Sequence, residues 1–268
     1  MNGVETYSDK TLSIRISTDG FCFCIYTATL PDSLQYYHYE VDRDITIASN
    51  FEKACKECPF IAEKRFEHVN AIIANGDFTT LPAEYDKPED YSKIFRCCFP
   101  QCNDNIEILA NRLTAQNITI LFSVEKGLYN RLNELGNVSY YTPSGILLGY
   151  IARKPFEAPK YLLAYLQKGK SLLFAIADGK LQLTNSFASR DINDQAYYIL
   201  SIWKEQGLSQ TNDTLYLCGD NTVEEISPML SRFIQNRKRI NPNSEFRSNL
   251  LNKIKEIPFD LQALLLCE

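Results

Sequence analysis

The sequence is poor in the residues that most often carry chemistry. Two histidines, His38 and His68, and one tryptophan occur in 268 residues. Neither histidine accompanies a serine or cysteine in a recognised nucleophile motif, and no G-x-S-x-G is present. Packing is the expected role of His38, which sits among Tyr36, Tyr37 and Tyr39, and of His68, with general base as the lesser reading. No G-x-x-x-x-G-K-[ST] and no G-x-G-x-x-G occurs, which removes the P-loop and Rossmann ways of holding phosphate. No apolar run approaches about 18 residues, and the opening MNGVETYSDKT lacks an apolar core segment, so membrane insertion is not expected. Glycine and proline number 11 each, too few for a low-complexity segment. Basic charge is in deficit, 28 Lys and Arg against 33 Asp and Glu. The net charge of −5 argues against nucleic acid as the main partner.

What is present is a core. Hydrophobic residues make up 45% of the chain, ample for a folded body of one large or two small domains. Nine cysteines, an odd number without a secretory signal, imply reduced thiols and a cytoplasmic location.

The clearest pattern runs from Tyr161 to Asp220. Leu162–Gln167 and Ser171–Ala177 are short apolar runs that suit covered strands. Asp178-Gly179 between the second and third runs is a type I′ hairpin signal, and Lys180–Phe187 alternates as a less covered strand. Asp191 is placed to cap a helix that carries Ala196, Ile199, Leu200 and Trp203 on one face, and Gly207 closes it. Thr214–Cys218 returns as a strand. The N-terminal part shows the same order: strands at Leu12–Ser17, Phe21–Ala28 and Gln35–Val41 with turns at Thr18–Gly20 and Pro31–Ser33, a helix opened by a Ser49/Glu52 capping box, and a strand at Val69–Asn75. Between the two lie helices at Pro88–Cys98, Glu125–Leu135 and Ile146–Ala152, and strands at Ile106–Leu113, Ile118–Phe122 and Val138–Tyr141. Pro155–Pro159 marks the boundary. The expected domains are 1–155, with inserted material at about 100–142, and 156–268. Val223–Ile234 reads as an amphipathic helix, and the apolar Pro258–Cys267 tail should dock on the body.

Two copies of meander, helix and strand, joined by an insertion, resemble the actin-like ATPase (RNase H-like) fold, an α/β architecture of two lobes with mixed sheets. The layout is similar to PilM-type pilus-assembly proteins at Leu12–Ser17, Leu162–Gln167, Ile120–Gly136 and Leu215–Gly219. More narrowly, Asn185-Ser186-Phe187, Tyr197-Tyr198 and Cys267-Glu268 resemble an uncharacterised Bacteroidetes family of unknown function. The resemblance implies two hairpin turns that grip nucleotide phosphates, with glycines for backbone approach and an aspartate for magnesium and water. Here the aspartate positions read Arg15 and Tyr165, and the glycine positions read Ser17 and Gln167. Gly219 remains, with Asp220 as its companion, and Asp19-Gly20 reads as an ordinary hairpin turn.

The expected function is therefore the fold without hydrolysis: a non-catalytic scaffold without a cofactor, binding an unidentified cytoplasmic protein or a second copy of itself. An alternative is a divergent protein that binds or hydrolyses ATP with magnesium, its cleft lined by Asp19, Gly20, Lys168, Gly169, Lys170 and Gly219. A second is a zinc-binding or RNA-associated accessory protein. Cys55, Cys58, Cys98 and Cys102 would supply thiolates for zinc, against the plainer reading of packed thiols shared with Cys97. Arg232, Arg237, Lys238 and Arg239 read as the basic end of a helix.

Overall fold

In a computed structural model of the chain, residues 7–27, 30–59, 61, 66–74, 77–154, 156–240 and 257–267 are described. They divide into two compact units, with the division between Leu147 and Leu148.

The first unit opens with β1 (Tyr7–Ile16), β2 (Gly20–Thr27) and β3 (Leu30–Glu40), an antiparallel meander. Helix α1 (Ile47–Glu57) crosses to β4 (Phe66–Ile73), which pairs parallel to β1. The chain then builds a separate three-stranded sheet from β5 (Phe78–Pro82), β6 (Ile106–Leu113) and β7 (Ile118–Glu125), ordered β5-β7-β6, with α2 (Tyr91–Cys98) between β5 and β6. It returns through α3 (Lys126–Asn133) to β8 (Val138–Tyr141), parallel to β4, and enters α4 (Pro143–Arg153). The main sheet is ordered β3-β2-β1-β4-β8.

The second unit repeats this plan. Strands β9 (Lys160–Gln167), β10 (Lys170–Ala177) and β11 (Lys180–Ala188) form the meander, and α5 (Ile192–Glu205) leads to β12 (Thr214–Gly219), parallel to β9. Then α6 (Thr222–Leu230) leads to β13 (Asn236–Arg239), parallel to β12, and α7 (Phe259–Cys267) ends the described chain. The order is β11-β10-β9-β12-β13, the same permutation as in the first sheet. That identity is a duplication expressed as topology.

Side-chain alternation explains why each sheet has a core. Leu12, Ile14 and Ile16 of β1 are fully buried in one cluster with Phe21, Phe23, Phe51 and Ala54. Leu162, Ala164 and Leu166 play the same part in β9, packed with Ile199, Trp203 and Leu215. Each such leucine or isoleucine contributes about 1.5–3 kcal/mol by leaving water. Tyr37 and Tyr39 of β3 face the first core, where Tyr39 stacks on Phe21 with centroids 5.8 Å apart. The C-terminal α7 buries Phe259, Leu261, Ala263 and Leu264, as its composition suggests.

Several local expectations are corrected. No turn interrupts Pro31–Ser33, because Thr27 already pairs with Leu30 and β3 runs on to Glu40. An edge strand tolerates a proline there. The cap of α1 is Thr46, whose Oγ1 accepts the Ser49 N–H at 3.1 Å, one turn ahead of the Ser49/Glu52 box. The inserted sheet begins at Phe78, well before residue 100, and β8 belongs to the main sheet. Helix α6 stops at Leu230, and the basic residues Arg237, Lys238 and Arg239 lie on β13, not at a helix end. Ala28 and Asn75, expected at strand ends, fall outside the described residues.

Candidate functional site

The candidate residues of the sequence gather at two β-hairpin turns, one in each unit. In the first unit the turn is Ser17–Gly20. Ser17 is buried, and its hydroxyl lies 2.6 Å from Asp19 Oδ1 and 2.7 Å from the Gly20 carbonyl, while its N–H donates to that carbonyl at 3.1 Å. Asp19 is thus tied to its own turn, although it is exposed. Gly20 is obligatory for a different reason: a Cβ there would sit 2.5 Å from the His38 ring and 2.9 Å from the Tyr39 carbonyl. Arg15 lies one residue before the last core residue of β1 and is 4% exposed.

Arg15 pairs laterally with Cys22, and Cys22 with His38, so the three share one row of the sheet face away from α1. Cys22 Sγ lies 3.5 Å from His38 Nδ1 and accepts the Tyr36 hydroxyl at 3.2 Å. One row along, Asn70 Nδ2 donates to Ser13 Oγ at 3.3 Å. This face of the first sheet is polar and thiol-rich. The equivalent row of the second sheet, Cys218, Tyr165, Leu172 and Ser186, is mainly apolar, and Tyr165 packs on Phe259 with centroids 6.1 Å apart.

In the second unit the turn is Gln167–Lys170, with Gly169 at φ +78°. Here the structure gathers six of the candidate residues. The Asp220 carboxylate accepts the Lys168 N–H at 2.9 Å through Oδ2 and the Thr222 N–H at 2.8 Å through Oδ1. The Asp220 N–H donates to the Leu166 carbonyl at 3.1 Å. Gly219, at φ +132°, passes so close to β9 that a Cβ would fall 1.8 Å from that same carbonyl oxygen. Gln195 Nε2 donates to the carbonyls of Gln167 at 2.8 Å and Lys170 at 3.2 Å, tying the turn to α5. The turn amide and the first amide of α6, the groups that could face an anion, are occupied by a carboxylate of the chain itself. The role of Asp220 was invisible in sequence, because Lys168 is 52 residues away.

The cysteines do not converge. Cys58 is buried in the first core, and Cys55 is partly buried against it; burial, with Cys58 and Glu52 adding, pushes the Cys55 thiol up to about 12. Cys97 and Cys98 are exposed at the end of α2, and Cys102 lies beyond, its thiol raised by burial and by Asp77. Among the described residues no group of three His, Cys, Asp or Glu is placed to hold a metal ion. His68 Nε2 is 3.2 Å from Ser139 Oγ. The basic residues of β13 are engaged locally: Lys238 meets Glu157 at 2.6 Å, and Arg239 meets Glu224. Among the described residues no helix is long and apolar enough to cross a membrane.

The sequence profile of the family described as protein of unknown function (DUF3822) matches residues 2–236. A crystal structure from Bacteroides thetaiotaomicron, of a protein with actin-like ATPase fold and unknown function, superposes with a TM-score of 0.84 at 30% identity, covering 100% of both chains. The PilM-PilN type IV pilus biogenesis complex superposes with a TM-score of 0.54 at 12% identity, covering 96% of this chain and 97% of that one. A comparison with curated proteins finds no match.

Proposed function

From the premise that this chain belongs to the DUF3822 family of unknown function and has the actin-like ATPase fold, we propose that it is a non-catalytic scaffold. It keeps the duplicated RNase H-like frame, a pseudo-ATPase that serves in the cytoplasm as a shape for another protein to recognise. The observation that carries this reading is Asp220, whose carboxylate takes the Lys168 and Thr222 amides. A phosphate oxygen arriving there would meet a negative charge in place of donors. The residues where the fold would place acids point the same way. Arg15 offers magnesium no oxygen, Tyr165 offers a phenol in place of the carboxylate that usually holds this ion, and both are buried. The solved PilM structure is a complex with PilN, which supports a role in binding a protein partner.

Calorimetric titration with Mg·ATP tests the proposal. No binding heat in the micromolar range is the expected result. Saturable binding at that level, or phosphate release above background, would overturn it.

A further inference from the structure

The four edges of the two main sheets are not alike. Strand β3 contains Pro31 and ends on Glu40, β8 is four residues long, and β13 is four residues of which three are basic. Proline, brevity and charge are the devices that keep an edge from pairing with another chain. Strand β11 has nine residues, no proline, and no charge after Lys180. Among the described residues its one sheet neighbour is β10. The Ser186 N–H is taken by the Asn185 carboxamide of its own strand at 2.8 Å, which places that amide on the open side. With a period of two, Thr184 and Ala188 present theirs on the same side. Beside this edge runs an aromatic shelf: Phe187 stacks on Tyr198 with centroids 4.5 Å apart, and Tyr197, 66% exposed, lies against Tyr198.

We propose that the β11 edge is a dimer interface, at which β11 of a second copy adds antiparallel and joins the two second-unit sheets into one. The charge pattern selects that occupant. The stretch from Leu181 to Ser189 is neutral, so two copies meet without like charges opposed. Beyond that stretch Lys180 of one copy meets Arg190 of the other, and Asp178 on the first with Asp194 on the second, which already pairs with Arg190, offsets those like charges across the two-fold axis. The register follows from the side chains. Centred on Asn185, it sets Leu183 opposite Phe187 of the other copy, on the face packed on the helices, and Thr184 opposite Ser186. Thr184 and Ser186 are the residues with outward amides, so each exchanges both hydrogen bonds with the other copy's counterpart. Asn185 then faces itself in a non-bonded pair, its carboxamide released from Ser186.

Sedimentation equilibrium of the full chain under reducing conditions tests this. The expected result is a concentration-dependent dimer. Ser186→Pro removes an outward amide without touching the β10 ladder, and Tyr197→Ser shortens the shelf; each should weaken association about tenfold or more, with unchanged circular dichroism. Asn185→Cys should form a disulfide between the two copies of residue 185 under mild oxidation, identified by peptide mass. A chain that stays monomeric at about 0.1 mM overturns the proposal. So does a dimer indifferent to Ser186→Pro that gives no such linked peptide. The test does not depend on nucleotide, so it stands or falls apart from the pseudo-ATPase reading.

Discussion

Asp220 and Lys168 are joined by a hydrogen bond from the Lys168 backbone N–H to the Asp220 carboxylate at 2.9 Å, across 52 residues of sequence. It fastens the β9–β10 turn to the junction of β12 and α6. Asp220→Ala strands two amides and should cost about 1–2 kcal/mol of stability. Asp220→Asn, which keeps an acceptor oxygen, should cost less. Urea midpoints of the three proteins decide the matter; equal midpoints would mean that the bond contributes nothing.

Gly219 is the tightest point of the same junction. With φ at +132° and a would-be Cβ 1.8 Å from the Leu166 carbonyl oxygen, no rotamer change relieves an added methyl. Gly219→Ala should lose at least about 3 kcal/mol, through backbone strain and displacement of β9 from β12. A thermal melt within a degree or two of the parent would contradict that geometry.

Thiol reactivity should divide sharply. Burial raises the Cys24 thiol, with Cys22 adding, and raises the Cys218 thiol, with Asp260 adding and Lys154 opposing. Cys97 and Cys98 are exposed. Alkylation of the native protein, mapped by mass spectrometry, should mark Cys97 and Cys98 first and leave Cys24, Cys58 and Cys218 until denaturant is added. Early labelling of Cys24 or Cys218 would show that these strands open.

Much of this fold was legible because its strands are apolar and its turns specific. Asp178-Gly179 reads as a type I′ turn, and both residues have positive φ, +51° and +73°. Asp191 reads as a cap, and its carboxylate accepts the Asn193 and Asp194 amides. The elements that escaped are those made by their neighbours. Strand β13 is Asn-Arg-Lys-Arg, which has no strand signature, and only the parallel register with Thr214–Leu217 of β12 makes it one. Strand β5 is short and ends in Pro82, and β7 supplies its pairing. Gly20 was readable as a turn glycine, but not as the floor beneath the His38 ring, a contact set by the β2–β3 register. The candidate residues were found as two groups from their place at strand ends. What Asp220 does there depends on a fold-level approach that spacing does not encode.

The cap of α1 can be assigned by substitution. Thr46 Oγ1 accepts the Ser49 amide at 3.1 Å and lies 2.9 Å from the Ser49 hydroxyl. Thr46→Ala should cost about 1 kcal/mol and Ser49→Ala clearly less. The reverse ranking in chemical denaturation would restore the helix start to Ser49.

Asp191 yields a prediction in pH. Its carboxyl is held below the usual carboxylate range, chiefly by the Asp194 amide and then by that of Asn193. A group with a depressed folded pKa contributes stability above its unfolded pKa and loses it as pH falls through the folded value. Asp191→Ala should therefore be less stable than the parent at neutral pH. The gap should hold down to about pH 4, where an unfolded aspartate titrates, and close below it as the folded carboxyl takes up its proton. Paired denaturation curves from neutral pH downward measure this directly. A gap that widens with acid would mean that Asp191 is protonated when it caps α5, and the cap would have to be drawn as a neutral acid.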